Sequence, residues 1–255
     1  MTSAEEIPLP YRIIALMQER NRLFTYPLEQ IASDIWSARF RCTCCGACCT
    51  RSVNNHIFLL DRDVDTLKKI DPAAYVPAPD PEFCDQYGMV YVSGYALRMK
   101  NDKAGSCWFL DGCRCRIYDR RFSACRIYPH MLRRSAGVPG HITWKQFARK
   151  GRHGERNPEL TYDDCLILAR EIKEYENAYL THQIAFHEVI HEFFTVNNLH
   201  HDQKMYRKRM QHYERGHRLE MKVYYDGRLE DCMSEKPENG SKPASALPFA
   251  GTDRE

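Results

Sequence analysis

Five cysteines within eight residues constrain this chain more than any other feature. They are Cys42, Cys44, Cys45, Cys48 and Cys49. Four more follow between Cys107 and Cys125, namely Cys107, Cys113, Cys115 and Cys125, while Cys84, Cys165 and Cys232 stand alone. A disulfide needs Cα atoms roughly 4.4–6.8 Å apart with suitable Cβ vectors, and thiols packed this tightly cannot all find distant partners. No secretory segment follows Met1–Glu6, which makes the cytoplasm the expected compartment. No run of about 18 apolar residues occurs, so no membrane span or membrane partner is expected. Clustered cysteines in a reducing compartment read as metal ligands.

The spacing supports this reading. Cys42, Cys45 and Cys48 lie three residues apart, with Cys49 directly after. Steps of three let a tight loop turn successive sulfurs towards one point, and Gly46 relieves the backbone where the turn is sharpest. Such spacing suits a tetrahedral zinc site or one corner of an iron–sulfur cluster. The side chains of adjacent cysteines are expected to diverge, so Cys48 and Cys49 read as serving two metals or leaving one spare. Cys107, Cys115 and Cys125 supply the ligands the first group lacks. Residues 98–156 hold 15 lysines and arginines against 4 carboxylates, whereas the whole chain has a net charge of only +3. Positive surroundings favour the ligating thiolate.

Along the chain, residues 10–37 read as two helices broken at Pro27, and His56–Leu60 as a short strand. Asp61 opens a helix with Val64, Leu67 and Ile70 on its apolar face. The four prolines between residues 71 and 81 mark a loop. Residues 88–99 read as one or two strands, and residues 137–158 as a connector. Thr161 and Asp164 form a capping box that starts a long helix to about residue 196. A polar, basic helix follows at about 199–225. The expected fold is α+β and predominantly helical, with an irregular, metal-stapled cysteine core and a C-terminal helical hairpin. Its parts are a helical arm (1–37), a cysteine-cluster domain (38–160), a helical region (161–228) and a disordered tail (229–255).

These residues resemble a known family. Phe40-x-Cys42-x2-Cys45-Gly46-x-Cys48-Cys49 is similar to the signature of the YkgJ-type cysteine-cluster family, a zinc- or iron-chelating domain. The likeness continues through His56-Ile-Phe-Leu-Leu-Asp-x-Asp63 and Gly105-x-Cys107-x-Phe109-Leu110. It extends to Cys115-x-Ile117-Tyr118-x2-Arg121 and Cys125-Arg126-x-Tyr128-Pro129. The resemblance implies a metal site at Cys42, Cys45, Cys48, Cys49, Cys107, Cys115 and Cys125. Cys44 and Cys113 fall at variable family positions. Phe122 replaces the family's proline, and a later Cys-Pro-Gly is absent, leaving Cys165 as the one candidate replacement. The family includes flagellin lysine N-methylases, so the resemblance also implies protein methyl transfer as an alternative activity.

A second motif competes. His187-Glu188-Val189-Ile190-His191 matches H-E-x-x-H, the zinc-peptidase motif in which two histidines on one helix face bind zinc and the glutamate serves as general base, which makes peptidase activity a second alternative. The apolar face here is Phe186, Val189, Ile190 and Phe193, which sends both histidines to the polar side, so a solvated face is the reading preferred. No Gly-x-Gly occurs, and neither a Walker loop nor a Gly-x-Ser-x-Gly elbow is found. The basic run Lys204–Tyr213 reads as a solvated helix face, with nucleic-acid contact as its second reading. The expected function is metal binding, with a redox or metal-handling role and an unnamed protein or small-molecule partner.

Overall fold

The computed structural model describes residues 7–54, 56–134, 142–146 and 153–234. Two helices come first, α1 (Leu9–Thr25) and α2 (Leu28–Ala38), separated at Pro27 as the sequence predicts. Strand β1 (Phe40–Arg41) precedes the first cysteine loop, and β2 (Phe58–Leu59) and α3 (Asp61–Ile70) follow it. Then come β3 (Tyr75–Pro77), β4 (Phe83–Cys84), β5 (Val90–Val92) and β6 (Tyr95–Leu97). The second cysteine segment holds the hairpin β7 (Leu110–Asp111) and β8 (Arg114–Cys115) and the short helix α4 (Ser123–Ile127). After it lie β9 (His130–Arg134), β10 (Ile142–Gln146) and β11 (Glu155–Arg156). The chain closes with α5 (Tyr162–Val196), α6 (Gln203–Glu214), β12 (Glu220–Tyr225) and β13 (Arg228–Met233). The fold is a mixture of helix and strand, as expected.

Helix α5 is the axis of the molecule. Its 35 residues extend about 50 Å at 1.5 Å per residue. The Thr161 hydroxyl accepts from the Asp164 N–H at 3.1 Å, and the Asp164 carboxylate accepts from the Thr161 N–H at 2.9 Å. This reciprocal cap satisfies donors that the helix start would otherwise leave open. The N-terminal half buries Cys165, Ala169 and Ile172 against Leu23 of α1 and Ile31, Ala32 and Ile35 of α2. The two N-terminal helices are therefore packed against α5 rather than projecting from it. The C-terminal half buries Phe186, Ile190 and Phe194 against Phe83, Tyr91 and Tyr224 of a four-stranded sheet.

That sheet has the order β13-β12-β5-β4, with β12 parallel to β5 and the other neighbours antiparallel. Val90, Tyr91 and Val92 are buried on both faces, the pattern of a central strand. A smaller sheet, β2-β6-β3, lies beside it. Gly94, between β5 and β6, lets α5 come close. A Cβ there would stand 3.0 Å from the Phe58 ring and 3.2 Å from His182 Nε2. His182 instead bonds through Nε2 to the Ser93 carbonyl.

Three expectations change at this level. Part of the proline-rich stretch is an edge strand: Tyr75–Pro77 pairs with β6, a position that tolerates proline. The final helix ends at Glu214, and residues 220–233 form a β-hairpin in place of further helix and the start of a tail. Its turn is Asp226-Gly227, with φ values of 47° and 78°, the two-residue geometry that suits a twisted hairpin. Helix α6 does not close a helical hairpin with α5. It sets Met205, Tyr206, Met210 and Tyr213 against the sheet core. The expected tail beyond Ser234 and half of the expected connector lie outside the described residues, and the described half of the connector holds β10 and β11.

Candidate metal centre

The first cysteine loop leaves β1, which is held by pairing with β11. Gly46 turns it at φ +74°, and Cys44 also takes a left-handed φ of 55°. Residues Ala47–Cys49 then form a single 3₁₀ turn. The Cys49 N–H donates to the Gly46 carbonyl at 3.0 Å, and the Thr50 hydroxyl to the Ala47 carbonyl at 2.8 Å. Asn54 closes the loop from behind, its Nδ2 donating to the Cys48 carbonyl at 2.7 Å.

The second segment begins with a turn organised by Asp102, whose carboxylate accepts from the N–H groups of Ala104 and Ser106 at 3.1 and 2.9 Å. Cys107 follows, Cys113 sits in the β7–β8 turn, Cys115 lies on β8 and Cys125 on α4. The segments are joined by main chain. Thr50 bridges Ser106, Arg51 N–H donates to the Gly105 carbonyl at 3.2 Å, and Cys107 N–H to the Cys49 carbonyl at 2.7 Å.

All seven predicted residues, Cys42, Cys45, Cys48, Cys49, Cys107, Cys115 and Cys125, line one cavity of about 230 Å³. Cys44 and Cys113 line it as well. Nine cysteines from two segments, 58 positions apart from Cys49 to Cys107, therefore line a shared space. Cys165 does not: it is fully buried in the packing of α5 against α2. Cys84 and Cys232 also belong to packed regions of the sheet core.

The electrostatics differ around the ring. The neighbouring Cys48 and Cys49 side chains are electrostatically linked, with the thiolate favoured at Cys49 and the thiol at Cys48. The Cys48 neighbour and the Arg121 guanidinium bring Cys49 down to about 7. The Cys49 neighbour and burial push Cys48 up. Burial raises Cys107 to about 11, and it raises Cys115 and Cys125 too. Cys45, at the exposed edge, is lowered by the Ala47 N–H. Arg121 stacks its guanidinium 3.8 Å from the Tyr118 ring centroid and donates to the Tyr118 carbonyl at 2.9 Å. It favours the thiolate at Cys44, Cys49, Cys115 and Cys125.

The donor chemistry fits zinc or iron, for which thiolate is the soft ligand of choice. Among the described residues, no three His, Cys, Asp or Glu side chains stand as a closed coordinating set.

Other lining residues are not in the set the sequence predicts. His56, Phe58, Tyr175, Glu176 and Tyr179 face the same cavity, as do Tyr128 and His153. The Tyr128 hydroxyl lies 2.6 Å from His153 Nε2. His56 is held neutral to lower pH by burial, with Nδ1 4.0 Å from an Asp80 carboxylate oxygen. Their only sequence signal is local: His56 and Tyr128 fall inside the family-like segments, whereas Tyr175, Glu176 and Tyr179 reach the cavity through the packing of α5.

The H-E-x-x-H motif is not assembled as a metal site among the described residues. His187 is buried between Phe83 and Phe186, where its Nδ1 bonds the Gln183 carbonyl at 2.8 Å. His191 and Glu188 are exposed. The expectation that both histidines face solvent therefore fails for His187, which lies on the stripe that packs on the sheet.

Residues 41–159 match the model of the CxxCxxCC family, described as a "putative zinc- or iron-chelating domain". This span covers a little under half of the chain and contains all nine cavity cysteines. No curated protein and no solved structure matches the chain.

Proposed function

We propose that this chain, as the bearer of a CxxCxxCC domain, is a metal-binding protein whose centre is built by thiolates from residues 42–49 and 107–125. One observation carries the reading: nine cysteines from two segments line one cavity. The proposed holders are Cys42, Cys45, Cys48, Cys49, Cys107, Cys115 and Cys125. Zinc, when bound, would supply a redox-silent cross-link or Lewis acid, and an iron–sulfur centre would supply electron transfer.

The chain's own residues have separate tasks. Arg121 offsets the charge that accumulates as thiols ionise. Asn54 and the Cys107–Cys49 main-chain bond hold the two loops in register. Tyr128, Tyr175 and Tyr179 exclude water from the thiol wall. Binding releases protons, since each ligating thiol must lose its own. The proposed role is redox chemistry or metal handling in the cytoplasm; among the described residues, no helix is long and apolar enough to cross a membrane.

The test is anaerobic purification followed by metal analysis and a visible absorption spectrum. Stoichiometric zinc in a colourless protein, or iron with sulfide and a thiolate-to-iron band, supports the proposal. A protein holding neither metal, and taking up neither on reconstitution, overturns it.

A further inference from the structure

Helix α6 has two unlike faces. Met205, Tyr206, Met210 and Tyr213 pack on the sheet core. Lys204, Arg207, Lys208, Gln211, His212 and Arg215, the last at the helix C-cap, are all exposed. Steps of three and four put these six positions on one side of the helix. Four of the six are lysine or arginine, and Glu214 at the rim is the only carboxylate among the exposed positions of the helix. Among the described residues, no carboxylate forms an ion pair with Lys204, Arg207, Lys208 or Arg215. The His217 ring continues the face by stacking on His212, with centroids 3.9 Å apart, and Arg218 is exposed after it.

Tyr87 stands at the border of this face. It is the most exposed large apolar or aromatic side chain among the described residues, at 81%. Its turn is fixed. The Asp85 carboxylate accepts from the Tyr87 and Met89 N–H groups at 2.9 and 3.0 Å. Gln86 bonds the Asn198 carbonyl and the His200 N–H at 3.1 and 3.0 Å, just before α6 begins. The next residue, Gly88, lies against the helix: a Cβ there would stand 3.4 Å from Arg209 Cδ and 3.6 Å from Met205 Sδ. With about 3.6 residues per turn, Met205 and Arg209 adjoin Lys208 and His212 on the exposed side.

We propose that the exposed face of α6 and the ring of Tyr87 form a docking surface for single-stranded nucleic acid. The row of cations tracks the phosphates, and Tyr87 stacks on an unpaired base. The charge is complementary to a polyanion. A protein interface gathers its binding energy on buried aromatic or aliphatic anchors at its centre, and none of the six positions carries one. A duplex keeps its bases stacked and turned inward, out of reach of an aromatic ring beside the phosphate-binding row.

The probes are fluorescently labelled oligothymidylate and oligouridylate of about 16 nucleotides. Each is titrated with the reduced, full-length chain at several salt concentrations and followed by anisotropy. Binding of either should weaken with salt at a slope of about -3 in log K against log salt, for four cations on a single strand. The paired variant Arg207→Gln, Lys208→Gln should lower the steepness by about 1.4. Tyr87→Ala should weaken binding about tenfold at an unchanged slope, and Tyr87→Phe, which keeps the ring, should bind as wild type. All three positions are exposed, so melting temperatures should stay the same. Absence of salt-dependent binding overturns the proposal, as does a Tyr87→Ala protein that binds like wild type. Equal or tighter binding of a duplex overturns the single-strand assignment. Displacement by polyglutamate as readily as by unlabelled oligonucleotide overturns nucleic acid as the partner and points to an acidic protein.

Discussion

The backbone N–H of Cys107 donates to the carbonyl of Cys49 at 2.7 Å. A direct main-chain bond thus ties the two cysteine segments at their most crowded point, with the Thr50–Ser106 bridge beside it. The cavity is shaped by backbone pairing, and the sulfurs are mounted on that frame. Individual thiols can therefore be removed without dismantling it, which makes the thiol substitutions below interpretable.

Cys45 is exposed and belongs to no packed cluster. Serine preserves its hydrogen-bonding capacity but not soft-metal ligation. Cys45→Ser should lower metal content and reduce the melting temperature of the metal-loaded protein by about 5 °C or more, the shift that roughly 2 kcal/mol gives in a chain of this size. After chelator treatment, wild type and variant should melt together. Equal melting temperatures and equal metal content before treatment would refute a ligand role for Cys45.

Glu82 is a buried carboxyl raised by desolvation to about 7, and Asp80 nearby is raised to about 6. Glu82 also accepts from the Ser93 N–H at 3.0 Å. In the unfolded chain Glu82 ionises near 4.5. Folding therefore favours its protonated form. That contribution is fully present below about pH 4.5 and is lost as pH rises through 7. Glu82→Gln keeps an acceptor for Ser93 and cannot ionise. It should raise stability at pH 8 by about 1–3 kcal/mol and flatten the stability profile between pH 4.5 and 7. Chemical denaturation at pH 5 and pH 8 checks this; an unchanged pH slope would contradict it.

Thr161→Ala removes the hydroxyl that caps α5 and leaves the Asp164 N–H without its partner. The expected loss is about 1 kcal/mol, or about 2–4 °C in melting temperature. The metal content should not change, because the cap lies outside the cavity lining. A variant that melts like wild type would mean that the cap contributes nothing measurable.

His191 is exposed one turn beyond a buried His187. His191→Ala should leave metal content and thermal stability unaltered. Loss of bound metal in this variant, with retention in Cys45→Ser, would transfer the metal site from the thiols to the helix.

Legibility followed the range of the forces involved. Helix α5 is readable because its cap and its apolar spacing are both local, from Thr161–Asp164 to Phe194. The cysteine set is readable because thiol chemistry and spacing are written in the chain. The β12–β13 hairpin carries its own signal in Asp226-Gly227, but the helical reading of the basic run continues to about residue 225 and takes in β12. The wall of Tyr175, Glu176 and Tyr179 has no local signature, since long-range packing alone brings α5 to the cavity. His187 was misplaced for a related reason. The buried stripe of α5, through Gln183, Phe186, His187 and Ile190, is wider than apolar residue types alone indicate.

X-ray absorption at the metal edge of the anaerobically purified protein tests the central claim most directly. The account predicts a first shell of sulfur, at about 2.3 Å if the metal is zinc, which weakens in Cys48→Ser. A shell of nitrogen and oxygen near 2.0–2.1 Å, the distance range of histidine and carboxylate ligands to zinc, insensitive to that substitution, would contradict it.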